Sequence, residues 1–193
     1  MKIKYLLPLT LIAIVVRSVT ATTVIPPTFD QLVKQAELIF QGTVTDARSV
    51  WEGEGGQRHI ETYVTFKVDD NVKGDAGASY TIQMLGGTVG DQTMEVSEAP
   101  KFKVGDRDIL FVEHNYDQFV PLVGINHGRF HVQHDDTTGR DIVVNSEGEP
   151  VKNLAKLGYE TESVSAAEAM TPEQLKSAVK SQLKAEAGSH PTQ

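Results

Sequence analysis

The most regular pattern of apolar and polar residues in this chain lies between residues 60 and 74. Apolar or threonine side chains occupy nearly every even position, with Asp70 as the exception, and mostly polar side chains occupy the odd positions. Because alternate residues of a β-strand face opposite sides, this pattern predicts a strand with one face on a core and one toward solvent. The apolar stretches before and after it are expected to be its neighbours in a sheet.

Shorter patterns predict five more strands around this one. Turns rich in glycine and aspartate separate them, which is typical of antiparallel connections. Gly42, inside the first predicted strand, indicates a bulge or a sharp coil. The predicted strands cover residues 38–51, 59–72, 79–85, 107–114, 119–125 continuing through 128–133, and 141–144, with a short additional strand at residues 94–96.

Two helices are predicted, one near each end of the chain. Thr28 is followed three residues later by Gln31, the spacing of a capping box, so a helix is expected from Thr28 to about Glu37. The same spacing recurs at Thr171 and Gln174, with proline in the first helical position. The second helix has a narrow apolar stripe, and it either docks on the β domain or is only marginally stable.

The order of these elements predicts a mainly β fold. We expect a small OB-like barrel of five to six antiparallel strands with an N-terminal helix and a C-terminal helix. A β-sandwich is the alternative, because strand patterns do not determine whether a sheet closes. The predicted organisation is a barrel with its N-terminal helix over residues 22–145. Residues 146–193 would form a polar, loosely packed excursion, the C-terminal helix and a disordered tail.

Residues 1–21 have the layout of a secretory signal peptide. Lys2 and Lys4 precede an apolar run over residues 5–16, and small residues lead to an expected cleavage site after Ala21. A membrane anchor is the alternative, but a helix that spans a bilayer needs roughly 20 apolar residues. The sequence therefore predicts an exported protein, periplasmic or extracellular, that is soluble and has no stable membrane insertion after cleavage.

Composition and charge limit the kinds of molecule that this protein is expected to bind. The chain has 18 basic and 26 acidic residues, a formal net charge of −8, and no cysteine. Removal of Lys2, Lys4 and Arg17 with the signal peptide makes it more acidic still. Nucleic acid is not an expected partner, because binding to phosphates depends on clustered Lys and Arg. The lack of cysteine excludes disulfides, a cysteine nucleophile and cysteine-based metal sites, and no cofactor is predicted.

Histidines are the main candidates for metal binding, since the acids Asp135, Asp136 and Asp141 are better explained by an ordinary hairpin turn than by a weak calcium site. His127, His131 and His134 are close in sequence, but on a strand His127 and His131 stand about 13 Å apart. A site would need residues from a neighbouring strand, and His114, His127 and His131 are the candidate ligands. The alternative is that these are histidines of the surface or of strand edges. Nucleophilic catalysis has no recognisable motif, since Gly-x-Ser-x-Gly is absent.

The long connection over residues 86–106 is the candidate ligand-binding region. A connection of this length commonly has a function. Its glycines superficially resemble a phosphate loop but lack the Lys-Ser/Thr of that motif. Its apolar side chains would form a partner surface or, alternatively, cover one end of the barrel. The candidate ligand-binding residues are Gly86, Gly87, Gly90, Met94 and Phe102.

Several segments together resemble a family of uncharacterised exported bacterial proteins. The resemblance covers roughly residues 28–133 and implies export and a β fold, without an assigned activity. The chain is also distantly similar to the netrin and tissue-inhibitor-of-metalloproteinase modules, which are OB-like barrels. Those inhibitors depend on an N-terminal cysteine that this chain lacks, so at most a shared fold is implied. The matching segments are residues 36–44, 62–68, 72–74, 86–90, 100–105, 110–112 and 123–130.

Three functional hypotheses follow. The leading one is a soluble, exported, non-enzymatic domain that binds a protein, peptide or glycan through its loops. The second is a metal-dependent or hydrolytic enzyme that uses clustered histidines and acids, which requires at least three such side chains to converge. The third is a secreted protease inhibitor, which requires residues 86–106 to form an exposed, rigid loop.

Overall fold

The computed structural model describes residues 26–157 and 164–188. Within these ranges the chain forms two α-helices and eight β-strands. The helices are α1 (Phe29–Gln35) and α2 (Pro172–Gly188). The strands are β1 (Leu38–Glu52), β2 (His59–Lys73), β3 (Ser79–Leu85), β4 (Gly87–Val89), β5 (Gln92–Met94), β6 (Arg107–Val112), β7 (Arg129–Asp135) and β8 (Arg140–Val144). The predicted signal peptide lies outside the described residues, as do residues 189–193 of the predicted tail.

The predicted mainly β, antiparallel fold with two terminal helices is confirmed. Six strands form one sheet in the order β3-β2-β1-β6-β7-β8, and β4 pairs with β5 in a separate hairpin. The predicted barrel closure is wrong. In the described chain β3 and β8 lie at opposite ends of the sheet and do not pair.

Other parts of the chain cover both ends of this sheet, which explains why it does not close. At β3 the side chain of Asn115 accepts a hydrogen bond from Gln83 N (3.1 Å) and donates one to Thr81 O (2.9 Å). At β8 the main chain of Val143 bonds to Met170 O and Val151 N. These contacts use hydrogen-bonding groups that a closing strand would need.

Apolar residues cover both faces of the sheet. Neighbouring residues such as Ile109 and Leu110 point to opposite faces, so β6 is buried on both sides, as its unbroken apolar run predicts. On one face, called the helix face, side chains of α1 and α2 pack on side chains of the strands. This cluster includes Leu32, Leu175 and Val179 from the helices and Ile39, Phe111 and Phe130 from the strands. On the opposite face, called the groove face, the cluster includes Phe40, Val64, Phe66, Ile82, Leu110 and Leu122.

Local signals located the helix starts correctly. In α1, Thr28 N donates to Gln31 Oε1 (2.8 Å) and Gln31 N donates to Thr28 Oγ1 (3.3 Å), the expected capping box. Thr171 and Gln174 make the same pair of bonds before α2. Leu175 is fully buried against the sheet, so α2 docks rather than standing free. The helix-face cluster therefore extends across the predicted boundary at residue 145.

Three predicted segments differ from the structure. Residues 119–125 form a loop with one bridge, between Leu122 and Val112, instead of a strand. Residues 120–123 are buried, whereas Phe119 is 72% exposed, so burial does not alternate as it would in a half-exposed strand. The short strand predicted at residues 94–96 lies earlier, as β5. The excursion over residues 146–169 is packed in part, because Val151 and Ala169 are buried and Arg140 donates to three carbonyls of residues 166–169.

Candidate functional site

A groove lies between the groove face of the sheet and the connection that follows β3. We call residues 86–102, which contain the β4–β5 hairpin and form one wall of the groove, the cover segment. The groove encloses about 760 Å³, within the size range of ligand clefts in proteins. The lining mixes hydroxyl-bearing, charged and apolar side chains, among them Ser49, Thr62, Thr93, Met84, Val64 and Val96.

Two glycines hold the first part of the cover segment against β1 and β2. A Cβ on Gly87 would lie 2.3 Å from both Ser49 Oγ and Thr62 Oγ1, a distance that real Cβ atoms do not reach. Thr62 Oγ1 donates to Gly86 O (2.6 Å) and lies 2.8 Å from Ser49 Oγ. Glycine is therefore needed here for close packing on the strands, which is a structural role rather than phosphate binding.

The far part of the cover segment packs on the groove-face cluster. Val96, Ala99 and Phe102 contact that cluster, and the rings of Phe66 and Phe102 meet edge to face with centroids 5.5 Å apart. The segment is consequently attached to the sheet at both ends and leaves the groove between them. The inhibitor hypothesis, which requires residues 86–106 to form an exposed, rigid loop, stays a prediction.

A buried ion-pair network anchors the end of the cover segment. Asp108 is fully buried, and Arg129 donates to it from Nε (2.8 Å) and from a terminal nitrogen (3.2 Å). The same guanidinium donates to Lys101 O and to Asp106, and it stacks 4.2 Å from the ring centre of Phe102. Arg129 thus connects β6 and β7 to residues 101–106.

The structure brings four of the five predicted ligand-binding residues to one place. Gly86, Gly87, Met94 and Phe102 all line the groove. Gly90 does not line it; it lies in the turn between β4 and β5 with a φ of 64°, and a Cβ there would meet no other atom. Glycine at this position allows the positive φ of the hairpin turn.

The three predicted metal ligands lie apart. His114 pairs with Glu37 (3.0 Å), and the ring of His131 bonds to Asp108 (2.9 Å). His127 lines a separate small cavity of about 110 Å³. Among the described residues no group of three His, Asp or Glu side chains is placed to hold a metal ion. The convergence that the enzyme hypothesis requires is therefore not present in the described chain.

A polar network on the opposite face of the β1–β2–β3 region was missed from the sequence. Glu61 accepts hydrogen bonds from His59 (3.0 Å), Tyr63 (3.0 Å) and Gln83, and Tyr63 also reaches Glu52 (3.3 Å). The alternation in β2 places Glu61 and Tyr63 on one face, and this is the only sign of the network that the sequence offers. The contribution of Gln83 depends on the register of β3, which no local pattern shows.

This network shifts two pKa values. Burial, hydrogen bonding to Glu61 and the negative charges of Glu61 and Glu52 raise the pKa of Tyr63 to about 12. Hydrogen bonds to Gln57 O and to Glu61 raise the pKa of His59 above its ordinary value. Both ring nitrogens of His59 face acceptors, at 2.8 and 3.0 Å, so the doubly protonated ring fits best. Tyr63 therefore remains neutral near pH 7, and the network links side chains of β1, β2 and β3.

Comparison with known proteins adds no family to this geometry. No protein-family model, curated protein or solved structure matches the chain. The resemblance to exported bacterial proteins stays a prediction from the sequence. In the part of the chain that the structure describes, neither helix has the length and apolar character required to cross a bilayer.

Proposed function

We propose that this protein is an exported, non-enzymatic binding domain that holds a protein, peptide or glycan ligand in the groove under the cover segment. The observation that carries the proposal is the groove itself, about 760 Å³ in volume and walled by a segment anchored at both ends. A preformed cleft binds without the cost of ordering a loop, which favours affinity. Export is supported by the signal-peptide pattern of residues 1–21.

The chemistry of the lining supports a ligand with both polar and apolar groups. Ser49, Thr88 and Thr93 place hydroxyls at one end, while Met84, Val96 and Phe102 supply apolar surface. Hydroxyls and main-chain groups orient a ligand, and apolar side chains provide most of the burial. Peptides and glycans both combine these two kinds of surface.

A groove-filling variant tests this proposal. Thr93 is exposed and lines the groove, whereas Asp91 is exposed on the same hairpin and does not line it. Thr93→Trp fills the groove, and Asp91→Trp is the matched control. Both proteins and the wild type are applied to a bacterial glycan array, a phage library of random linear peptides and an envelope protein extract.

We expect ligands retained by the wild type and by Asp91→Trp to be lost, at least about tenfold in affinity, with Thr93→Trp. Unchanged binding by Thr93→Trp, or no binding to any of the three probes, would overturn the proposal. Elemental analysis of the purified protein, run alongside, tests the metal-dependent alternative.

A further inference from the structure

The outer half of β1 has a strand partner on one side only. Residues 38–43 of β1 pair with β6, and Val44 bonds to Gly105 and Asp106. From Asp46 to Glu52, β1 pairs with β2 alone, and the described residues place no main-chain partner on its other side. We call residues 46–52 the open edge; it is roughly 20 Å of extended strand.

The register shows which main-chain groups are free along the open edge. Ile60 O accepts from Gly86 N, so Ile60 and the alternate residues of β2 direct their main-chain groups away from β1. Their opposite neighbours on β1, which are Trp51, Ser49 and Ala47, therefore form the non-hydrogen-bonded pairs of this ladder. These three residues direct their N–H and C=O groups outward, at the spacing of a strand.

The open edge is unlike the two ends of the sheet. At β3 the outward main-chain groups are hydrogen-bonded by the side chain of Asn115 and by Phe119 O. At β8 they are hydrogen-bonded by the main chains of Val151 and Met170. Unpaired edges invite pairing with another chain, and proteins commonly cover them. Here Ala47 and Arg48 are exposed and residues 49–52 are half-buried, and the described part of the chain places no main-chain partner along this edge.

The open edge and the groove are continuous. Ala47 and Ser49 stand opposite Val64 and Thr62, so the side chains of these pairs share the groove face. Ser49, Thr62 and Val64 all line the groove. A strand added to the open edge would direct every second side chain toward this face, beside the cover segment.

We infer that the ligand is an extended peptide carrying basic residues, which adds to the open edge as a further β-strand and directs alternate side chains into the groove. This inference rests on the proposed function and names its ligand. Main-chain hydrogen bonds give affinity in this mode of recognition, and pockets for alternate side chains give specificity. Only another extended main chain matches donors and acceptors at strand spacing.

Charge favours a basic peptide. Asp46 and Glu52 lie on the open edge, and Glu95 and Glu98 line the groove. The nearby cations are Arg48, Lys101 and Arg58, the last 4.4 Å from the ring centre of Trp51. Arg48 pairs with Asp46 (3.9 Å) and Lys101 with Glu95 (3.6 Å), so Glu52 and Glu98 outnumber Arg58 by one charge. The chain as a whole carries a formal charge of −8. The same charges disfavour a second copy paired about Ser49, because antiparallel pairing there would oppose Asp46 and Glu52.

The test uses peptides enriched from a phage library of random linear 12-residue sequences by the wild-type protein. We expect enriched peptides to alternate in polarity and to carry Lys or Arg. The edge variant is Ala47→Pro, which removes one outward N–H and leaves the bonds to β2 intact. Ala47→Val is the matched control, since it keeps the N–H and strand preference.

Ala47→Pro should weaken peptide binding about tenfold or more, as expected for one lost main-chain hydrogen bond with added strain, while Ala47→Val binds like the wild type. Should Ala47→Pro fail to fold, amide hydrogen exchange on the wild type decides. Bound peptide should protect the amides of Ala47, Ser49 and Trp51, which alternate with Arg48 and Val50, already bonded to β2.

The failures of the two proposals are distinguishable. Peptide binding that is lost in Thr93→Trp but unchanged in Ala47→Pro overturns the open-edge inference and leaves the groove function standing. Glycan binding in the groove without peptide enrichment does the same. Sedimentation of the wild type and of Ala47→Pro tests a second copy as the occupant. A concentration-dependent dimer that Ala47→Pro dissociates would assign the open edge to that second copy and overturn the inference of a peptide ligand.

Discussion

At the scale of single residues, several conspicuous sequence features have structural explanations. Lys73 donates to the carbonyls of Val33 (2.8 Å) and Ala36 at the end of α1, and its cationic group satisfies carbonyls that the helix leaves free. Gly74 has a φ of 70°, and a Cβ there would lie 2.6 Å from Leu38 Cδ2. The Lys-Gly pair of the family resemblance thus fastens α1 to the sheet and has no part in the groove.

A pH-dependent contribution to stability is expected from His59. Its folded pKa is raised above the ordinary 6.5. Its contribution is therefore fully present below pH 6.5 and is lost as the pH rises through the folded pKa. The loss of unfolding free energy in His59→Gln should be larger at about pH 6 than at about pH 9. Urea denaturation at several pH values measures this difference.

A matched variant checks the cause of the raised His59 pKa. Glu61→Gln removes the negative charge next to the ring and should move the pKa of His59 back toward 6.5. Proton NMR of the His59 ring in the folded protein measures both values. A His59 that titrates at or below 6.5 in the wild type would contradict the assigned hydrogen bonds.

At the scale of elements, the cover segment is ordered by what lies at its two ends. Gly86 and Gly87 allow its first residues to pack closely on β1 and β2. Arg129 holds its last residues to β6 and β7 by hydrogen bonds. Its middle carries the polar groups that line the groove. The connection between β3 and β6 thus runs along the groove face and packs on it at both ends.

Loss of Arg129 should destabilise the protein strongly. Arg129→Met leaves the fully buried Asp108 without its guanidinium, and breaking a buried pair in this way costs roughly 3–5 kcal/mol of unfolding free energy. The control is Arg107→Met, since Arg107 pairs with the partly exposed Asp141 (2.7 Å), and such pairs contribute about 0–1 kcal/mol. Chemical denaturation of both variants measures the two losses.

The same pair of variants reports on the cover segment. Hydrogen exchange should accelerate over residues 101–106 in Arg129→Met and stay unchanged there in Arg107→Met. Equal destabilisation by the two substitutions, with unchanged exchange over residues 101–106, would show that Arg129 does not anchor this segment.

At the scale of the whole molecule, the C-terminal helix is part of the domain core. Leu175 and Val179 are fully buried in the cluster that also contains Leu32 and Phe111. The helix covers the helix face and so leaves the groove face free for ligand. Both faces of the sheet carry a buried apolar cluster, and the groove of the proposed binding lies on the face opposite the helices.

Leu175→Ala should lower the unfolding free energy by roughly 2–5 kcal/mol, the range for removing a buried leucine side chain. Unfolding should remain a single cooperative transition, because α2 shares one core with the strands. Lys180→Ala, at an exposed position of the same helix, should change it by less than about 0.5 kcal/mol. Separate unfolding of α2 before the sheet, seen as two transitions in circular dichroism, would contradict a shared core.

Local patterns alone determined most elements of this protein. The alternation in β2 and the capping residues before α1 and α2 each predicted a feature at the right place, because each depends on contacts within a few residues. The bulge predicted at Gly42 is also present, as a shift of the β1–β2 register between Gln41 and Gly42. Local patterns also singled out four of the residues that line the groove. The apolar loop at residues 119–125 was mistaken for a strand, because apolar runs are ambiguous without their partners.

Only the tertiary structure decided whether the sheet closes and where its edges are free. Asn115 reaches β3 and Met170 reaches β8 from distant parts of the chain, and no local pattern reports such contacts. The polar network at Glu61 depends on Gln83 in the same way. Strand patterns record which residues alternate, whereas closure, register and an open edge depend on long-range pairing, so the groove and its neighbouring edge emerge only from the folded chain.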